Sequence, residues 1–424
     1  MTASSKYQRP TKCARNLVRP VVILSSVCCA GIALPIATSQ AQDVPVPIYE
    51  VDASWPKVPL PNNWLIQAIP VMVTDHDDHI WVLSRSRDLK PDESMAAVTP
   101  PRGDCCAAAP EILQFDTDGN LLSAWGGPDH HPLWPSNPHT VVVDREHNVW
   151  VSGRGRGDGI LKFTREGDFI WDFGHRGPRP VPGEDLPPLV EDNQDTDTIP
   201  NGVFIFTLDE DAREIYLVSW KRVLVYDMDN GDFKRGWGGR GMPLNEITND
   251  PIPPYDWRSG PPPLVDQFVP ALHCVHIAVD GLVYVCERGT NRIQVFTKQG
   301  EFLSEFQVAP STPSRGSECG GPGHATYGMC GSTYNLTFSH DEGQQYVLTA
   351  DGTNHRIWIN DRFTGEEVGQ IGSLGRNAGQ FYWIDAIAMD SYGNLYTGEV
   401  HYGKRIQKFV LQNGDGVQRF RPHD

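Results

Sequence analysis

The chain has 424 residues, a formal net charge of −17 and 39% hydrophobic residues. A surface this acidic repels the phosphates of nucleic acids and anionic lipids, which excludes both as predicted partners. Beyond an N-terminal leader, no apolar run approaches the about 20 residues that a membrane helix needs, so we expect no membrane span there.

Residues 1–41 predict a secretory signal peptide. Five basic residues precede an apolar segment at 21–37, and the small-x-small sequence Ser39-Gln40-Ala41 follows it. Cleavage before Gln42 would export the protein to the periplasm or the extracellular space. Because the leader holds five basic residues and no acids, the charge of −17 would become −22. An uncleaved membrane anchor is the alternative.

Residues 42–64 form a proline-rich extended segment, and a repeated unit fills residues 65–424. The clearest copy, residues 273–306, has four short runs rich in Val, Ile, Phe and Tyr, bounded by Asp, Gly or Asn, which is typical of strands joined by tight hairpins. An aromatic residue marks the second strand of each copy: Trp81, Trp150, Tyr216, Tyr284, Tyr346 and Tyr396.

Six copies of a four-stranded antiparallel meander predict an all-β fold, a six-bladed β-propeller in one domain. Two stacked sheets would not explain the sixfold repeat. The sixth copy is expected to close around Val417–Phe420, and Ile48–Val51 is expected to add a strand to an outer blade edge and help close the ring.

Six cysteines follow the leader, and an even number in an exported protein favours disulfides. Two of them flank one hairpin and two bracket a glycine-rich loop, which predicts the pairs Cys274–Cys286 and Cys319–Cys330. Cys105 and Cys106 are adjacent, so they either bond to each other or pair elsewhere. None of the spacings is typical of a zinc finger.

Counting eleven residues back from the second-strand aromatics reaches His139, His273 and Asp385 in blades two, four and six. The first strand of each blade lines the central channel, so these side chains are expected to converge on its axis. Two imidazoles and a carboxylate predict a divalent metal site, with Zn²⁺ as the first choice and Fe²⁺, Mn²⁺ or Co²⁺ as others. Ordinary polar lining of a wet channel is the alternative.

The sequence Asn291–Phe296 and the sequence Asp351–Ile357 resemble the NHL repeat, and the resemblance extends over about residues 65–420. This repeat implies the propeller fold but leaves the activity open.

The strand start Asn137–Asp144 is similar to the Pro-His strand of the peptidyl-α-hydroxyglycine α-amidating lyase family. That resemblance implies a catalytic zinc held by three histidines, two of which match His139 and His273. Asp385 stands where the third histidine would be. The family's structural calcium is not expected, because Ala386 replaces its aspartate, and the catalytic tyrosine has Trp220 as its nearest counterpart.

The same resemblance assigns catalytic-site roles to Arg85 and Arg288, which would hold a substrate carboxylate. A salt bridge within the blade turn, between Arg288 and Glu287 or a neighbouring acid, is the alternative.

Together these features predict an exported, monomeric, metal-dependent enzyme. We expect it to act like a C–N lyase on a small-molecule or peptide substrate, and the arginines favour a substrate with an anionic group. A non-catalytic NHL propeller that binds a protein or a glycan is a second hypothesis. A calcium-dependent hydrolase of the gluconolactonase type, with Asn201, Asn335 and Asp385 as ligands, is a third.

Overall fold

The structure is a computed structural model, and it describes residues 44–180, 183, 185, 192–270, 272–317, 319 and 330–419. The predicted signal peptide lies outside the described residues and stays a prediction. In chain order the strands are β1 (Tyr49–Asp52), β2 (Trp64–Leu65), β3 (Val71–Thr74), β4 (Ile80–Leu83), β5 (Ala107–Ala108), β6 (Ile112–Phe115), β7 (Leu121–Trp125), β8 (Pro138–Val143), β9 (Val149–Gly153), β10 (Ile160–Phe163), β11 (Phe169–Asp172), β12 (Phe206–Asp209), β13 (Glu214–Ser219), β14 (Arg222–Asp227), β15 (Phe233–Trp237), β16 (Leu272–Ile277), β17 (Val283–Glu287), β18 (Arg292–Phe296), β19 (Phe302–Gln307), β20 (Asn335–Phe338), β21 (Tyr346–Asp351), β22 (Arg356–Asp361), β23 (Glu367–Ile371), β24 (Ile384–Met389), β25 (Leu395–Glu399) and β26 (Ile406–Leu411). Single turns of 3₁₀ helix lie at Pro61–Asn63, Ser86–Asp88, Gly239–Gly241, Leu244–Glu246, Trp257–Ser259 and Arg288–Thr290.

These strands build six four-stranded antiparallel sheets, which confirms the predicted six-bladed propeller. Blade one is β3-β4-β6-β7, and blades two to five are β8–β11, β12–β15, β16–β19 and β20–β23. Blade six is β24-β25-β26 with β1 as its outer strand, and the short strands β2 and β5 form a separate parallel pair. Each first strand contacts the first strand of the next blade, and β24 contacts β3, so the ring closes.

The ring is closed by both ends of the propeller sequence. Strand β1 pairs antiparallel with β26, with Tyr49 opposite Leu411 and Asp52 opposite Lys408. This confirms the strand predicted at 48–51, and it lies before the predicted propeller boundary at residue 65. The closing strand expected at 417–420 is wrong where the structure describes it, because residues 417–419 form no strand. The outer position is already taken by β1.

The second-strand aromatics fix each blade from within. The Trp81 and Trp150 indoles are fully buried, and each donates its N–H to an aspartate in the preceding turn, Asp75 at 2.8 Å and Asp144 at 2.9 Å. The same aspartates accept a backbone N–H from the residue four positions on. A buried indole therefore keeps its N–H satisfied while its ring fills the blade-to-blade core.

The central channel has two different ends. The later residues of the six first strands surround an apolar cavity of about 80 Å³, with Val71, Val141 and Leu336 in its wall. Residues near the start of three of these strands, His139, His273 and Asp385, line a larger, polar cavity of about 490 Å³. The polar end therefore has the volume and the polar side chains that a ligand-binding site needs.

Three disulfides are present in the described residues: Cys274–Cys286 and Cys319–Cys330, which were predicted, and Cys105–Cys106, which is one of the two arrangements that the sequence left open. Cys274 and Cys286 are direct partners in the β16–β17 ladder. Within the described residues, no helix has the length and apolar character to cross a membrane.

Candidate metal centre

The structure brings His139, His273 and Asp385 together at the polar end of the channel. Each offers one nitrogen or carboxylate oxygen that lies within 4.8 Å of those of the other two. Their residues are 2%, 2% and 5% exposed. Two ligands with bonds of about 2 Å can be at most about 4 Å apart, so the set is within roughly 1 Å of ligand geometry.

All three side chains project from β-bulges. The ladder of β8 and β9 shifts register between Pro138 and Thr140, so His139 is an extra, unpaired residue. The same shift occurs around His273 in β16 and around Asp385 in β24. The first strands of blades one, three and five pair with their second strands without a shift. Because a bulge re-aims a side chain, every second blade turns one polar group to the axis.

Backbone carbonyls of the neighbouring blades orient both imidazoles. His139 Nδ1 lies 3.0 Å from the carbonyl oxygen of Phe204, and His273 Nδ1 lies 2.6 Å from that of Tyr334. A carbonyl only accepts, so Nδ1 carries the hydrogen and Nε2 keeps its lone pair. This is the arrangement by which metal-binding histidines are commonly held.

Both histidines are neutral at physiological pH. Burial lowers the pKa of His139 and of His273 well below the ordinary value, and nearby arginines lower it further. For His139 the contributing charge is first Arg154, and for His273 it is first Arg288. A neutral imidazole is the form that binds a metal ion.

Asp385 has a buried oxygen that the protein leaves unsatisfied. Its Oδ1 is buried without a hydrogen-bond partner among the described residues, and it lies 3.9 Å from His273 Nδ1. Burial raises the pKa of this carboxyl to about 6, although Arg288, Arg85 and Arg154 oppose the shift. A buried carboxylate oxygen without a partner among the described residues, grouped with two neutral imidazoles, fits a divalent cation.

The two arginines predicted for substrate binding line the same cavity. Arg85 is buried, donates from Nη1 to Asn137 Oδ1 at 2.9 Å and has Nε 3.5 Å from Asp88. Burial lowers the pKa of Arg85. The Arg288 guanidinium lies 4.5 Å from the centre of the Tyr334 ring. Both guanidinium groups thus lie near the candidate metal ligands.

Glu287, the acid proposed as an alternative partner for Arg288, has another role. Glu287 is fully buried and accepts from Arg292 Nε at 2.5 Å and from the Val269 backbone N–H at 2.9 Å. The matching acid of blade six, Glu399, bonds Arg405 in the same way. These acids stabilise their own blade turns.

A third arginine, Arg154, belongs to the site although the sequence analysis missed it. It lines the cavity and lies 5.2 Å over the Phe204 ring. Burial, and then repulsion by Arg85 and Arg288, lower its pKa to about 10. The signal was available, because Arg85, Arg154 and Arg288 each follow the second-strand aromatic of their blade by four residues.

The other sequence candidates lie elsewhere. Trp220 does not line the cavity, and its indole N–H is directed at Asn249 Oδ1 at 3.4 Å. Asn335 lines the apolar cavity, where its Oδ1 lies 2.8 Å from His276 Nε2. Neither Asn201 nor Asn335 joins the residues around Asp385 in the polar cavity, so the calcium set with both asparagines is not assembled in the described part of the chain.

A second group with metal-ligand chemistry, Asp75, Asp77 and His147, lies at the turns of blades one and two. Asp77 is exposed and lies 3.5 Å from the Arg165 guanidinium, which also approaches His79 Nδ1 at 2.9 Å. Asp77 therefore already has a cationic partner in Arg165.

Comparison with known proteins supports the repeat but does not assign an activity. No protein-family model matches the chain. It is similar to NHL repeat-containing protein 3 of Homo sapiens, with 28% identity over 204 residues, and to the Mus musculus protein, with 27%. The match covers 46% of this chain and 48% of the human protein, so the chain spans about half the length of the curated relatives it matches.

Solved structures with a similar shape include a protein of unknown function from Bacteroides thetaiotaomicron VPI-5482, with 12% identity and a TM-score of 0.47 over 82% of this chain and 70% of that one. Virginiamycin B lyase from Staphylococcus aureus, solved with quinupristin, has 12% identity and a TM-score of 0.42. The match covers 88% of this chain and 91% of that one. Likeness at this level carries no argument about function. The resemblance to the amidating lyase stays a prediction.

Proposed function

We propose that the protein is an exported, metal-dependent propeller enzyme that cleaves a C–N bond in an anionic small molecule or peptide. One observation carries the proposal. Three bulges in alternate blades direct two neutral imidazoles and one unsatisfied carboxylate to a single buried point. A structural role would not need a buried oxygen without a partner, whose desolvation costs about 1–3 kcal/mol.

His139, His273 and Asp385 would hold the ion, with zinc as the first choice for two imidazoles and a carboxylate, and iron or manganese as others. Bound there, the ion would supply a Lewis acid beside the substrate. Calcium is the less suitable ion, because it prefers six or more oxygen ligands and this group supplies two nitrogens.

The arginines would bind and orient the substrate. Arg85 and Arg288 line the cavity beside the three candidate ligands, and their guanidinium groups suit a carboxylate. In the α-hydroxyglycine reaction of the resembling lyase family, the substrate carries a carboxylate next to the carbon whose C–N bond breaks. A carboxylate held by these arginines would bring that carbon close to His139 and Asp385. The monomeric state and the export of the protein belong to the same proposal.

The direct test is a peptide that ends in α-hydroxyglycine, with release of glyoxylate as the readout. We expect release by the protein as purified, loss after treatment with a chelator, and recovery with added zinc. Asp385→Ala should lower the rate at least about 100-fold, and Arg288→Gln should raise KM more than it lowers kcat. His276→Ala is the matched control, because His276 lies in the same strand as His273 but faces the apolar cavity.

Three outcomes would contradict the proposal. Turnover that survives both the chelator and Asp385→Ala would remove the metal site from catalysis. Lactone hydrolysis that depends on calcium would favour the gluconolactonase-type hydrolase. Absence of any turnover together with absence of bound metal would favour the binding propeller.

A further inference from the structure

The lining of the polar cavity is rich in arginine. Its described lining includes the guanidinium groups of Arg85, Arg154, Arg288 and Arg315, and Asp385 is the one acid among them. His139 and His273 are neutral, and burial also lowers the pKa of the lining residue His401. A divalent ion at Asp385 would add further positive charge.

Three of these arginines form an arc at one level of the channel. They stand four residues after the second-strand aromatics of blades one, two and four, at Arg85, Arg154 and Arg288. The same position in blades three, five and six holds Trp220, Ala350 and Val400. Because blade four lies opposite blade one in the ring of six, Arg85 and Arg288 belong to opposite sides of the channel, and Arg154 belongs to the blade next to that of Arg85.

Two of the arginines are positioned on opposite sides of His273. The His273 ring contacts the Phe204 ring and the Tyr334 ring, each with a centroid distance of 5.5 Å. Arg154 lies over Phe204 at 5.2 Å, and Arg288 lies over Tyr334 at 4.5 Å. Each guanidinium thus lies against an aromatic ring, and this contact helps to hold it in place.

The proposed function assigns the single carboxylate of α-hydroxyglycine to Arg85 and Arg288, and this leaves Arg154 without a role in substrate binding. Arg85 already has Asp88 and Asn137 within reach. Arg154 is enclosed by the cavity walls but keeps part of its surface open to solvent there, and it makes no ion pair with the described residues. A cation held close to two others, without an acid of its own, favours binding of an anion.

We propose that Arg154 is a specificity-determining residue, and that the cavity selects small molecules with two carboxylates, one bound near Arg85 and Arg288 and the other by Arg154. This inference rests on one part of the proposed function, namely that the polar cavity is the site where the substrate binds. The small volume, about 490 Å³, and the buried floor at His139, His273 and Asp385 suit a small diacid rather than a macromolecule.

The test compares succinate and glutarate with their monomethyl esters, by calorimetric titration of the purified chain. We expect each diacid to bind at least about tenfold more tightly than its monoester, as the loss of one bidentate ion pair implies. Arg154→Gln should weaken the diacids by a similar factor and leave the monoesters within about twofold. Arg154→Lys keeps the charge but loses the two parallel N–H donors of the guanidinium, so its affinity for the diacids should lie between those of the unmodified protein and Arg154→Gln.

Arg258→Gln is the matched control, because Arg258 is an exposed arginine outside the cavity. It should change neither diacid nor monoester binding. Equal affinity for diacid and monoester in the unmodified protein, or an equal loss of both in Arg154→Gln, would overturn the proposal. Inorganic phosphate that competes as well as the diacids would also overturn it, since it would show a general anion site.

The titrations are repeated on chelator-treated protein, and metal content is measured in Arg154→Gln. If no ion binds the chain, the proposed function fails, but discrimination between diacid and monoester still tests Arg154. If the ion binds and the discrimination is absent, this inference alone fails.

Discussion

At the scale of single residues, metal binding at the candidate site would depend on which protons His139, His273 and Asp385 carry. Burial lowers the pKa of His139 and His273 well below the ordinary value, so protons compete weakly for the imidazole nitrogens. Burial has the opposite effect on Asp385, and raises the pKa of its carboxyl to about 6. Of the three ligands, the carboxylate is therefore the one whose protonation would first oppose metal binding as the pH falls.

Zinc affinity should consequently be nearly constant above about pH 6 and fall about tenfold per pH unit below it, with one proton displaced per ion. Zinc titrations between pH 4.5 and 7.5, with the displaced protons measured in two buffers, provide the check. Displacement of two protons near pH 6.5 would instead show that both histidines titrate as exposed imidazoles do.

Asp385 should also lower the stability of the metal-free protein. An acid whose pKa is higher in the folded state binds more protons folded than unfolded, so stability falls as the pH rises from about 4 to about 6. Above pH 6, Asp385→Asn should raise the free energy of unfolding by on the order of 2 kcal/mol, and at pH 4 it should change little.

Urea unfolding in the presence of a chelator measures this difference. Asp390→Asn is the contrasting variant, since Asp390 accepts four hydrogen bonds, from the backbone of Tyr392 and Asn394 and from the side chains of Asn394 and Tyr396, and its loss should destabilise. An Asp385→Asn protein that is less stable than the parent at pH 7.5 would show that the carboxylate is satisfied in the fold.

The residues of the site could be predicted from the sequence wherever positions were counted from the second-strand aromatic of each repeat. Counting from the second-strand aromatic located His139, His273 and Asp385, and the structure brings these three together. The same counting would have located Arg154 beside Arg85 and Arg288. The carbonyls of Phe204 and Tyr334 were not predictable, because main-chain partners carry no sequence signal.

At the scale of strands, the disulfide Cys274–Cys286 connects the two parts of blade four that face the cavity. Cys274 follows the bulged residue His273, and Cys286 precedes the turn with Arg288. Because the pair joins the strands at this point, it should hold the bulge in position as well as constrain the unfolded chain.

The double substitution Cys274→Ser and Cys286→Ser should lower the free energy of unfolding by about 2–4 kcal/mol and weaken zinc binding about tenfold. Removing Cys105–Cys106, which lies outside the polar cavity, is the control and should leave zinc affinity unchanged. Equal zinc affinity in both double variants would show that the bulge does not need the covalent link. Thermal unfolding and zinc titration give the two readouts.

Strand β1 is the second element with a measurable role, since it completes blade six. Val51 is half-buried and packs against the core of blades five and six, while Glu50 on the same strand is exposed. Val51→Asp should lower the free energy of unfolding by about 2 kcal/mol or more, because a charge enters an apolar contact. Glu50→Asp is the control, and equal stability of the two variants would contradict this role of β1.

The bulges show where strand prediction from sequence stops. Alternating hydrophobic residues predict a strand and its faces, but an extra unpaired residue becomes visible only when the partner strand is known. For the same reason the fourth strand of blade six was expected at 417–420, next in the chain, although the earlier segment 49–52 pairs there. The existence of the six blades needed only the repeat itself.

At the scale of the molecule, the ring brings equivalent positions of the sequence repeat together at the candidate site. Six similar blades place equivalent positions around one axis, and alternate blades supply the bulged residues at 139, 273 and 385. Positions four residues after the second-strand aromatics form a further level, with arginines in three blades. A small change in each blade thus builds a site that no single blade could form.

Metal content per chain is the most direct measurement of the central claim. Unmodified protein, loaded with zinc and freed of excess, should carry about one ion per chain, and His276→Ala should equal it. His139→Ala, His273→Ala and Asp385→Ala should each retain less than about a tenth of an ion while keeping the circular-dichroism spectrum of the parent. Unchanged zinc content in all three variants would contradict the assignment of these residues as one metal centre.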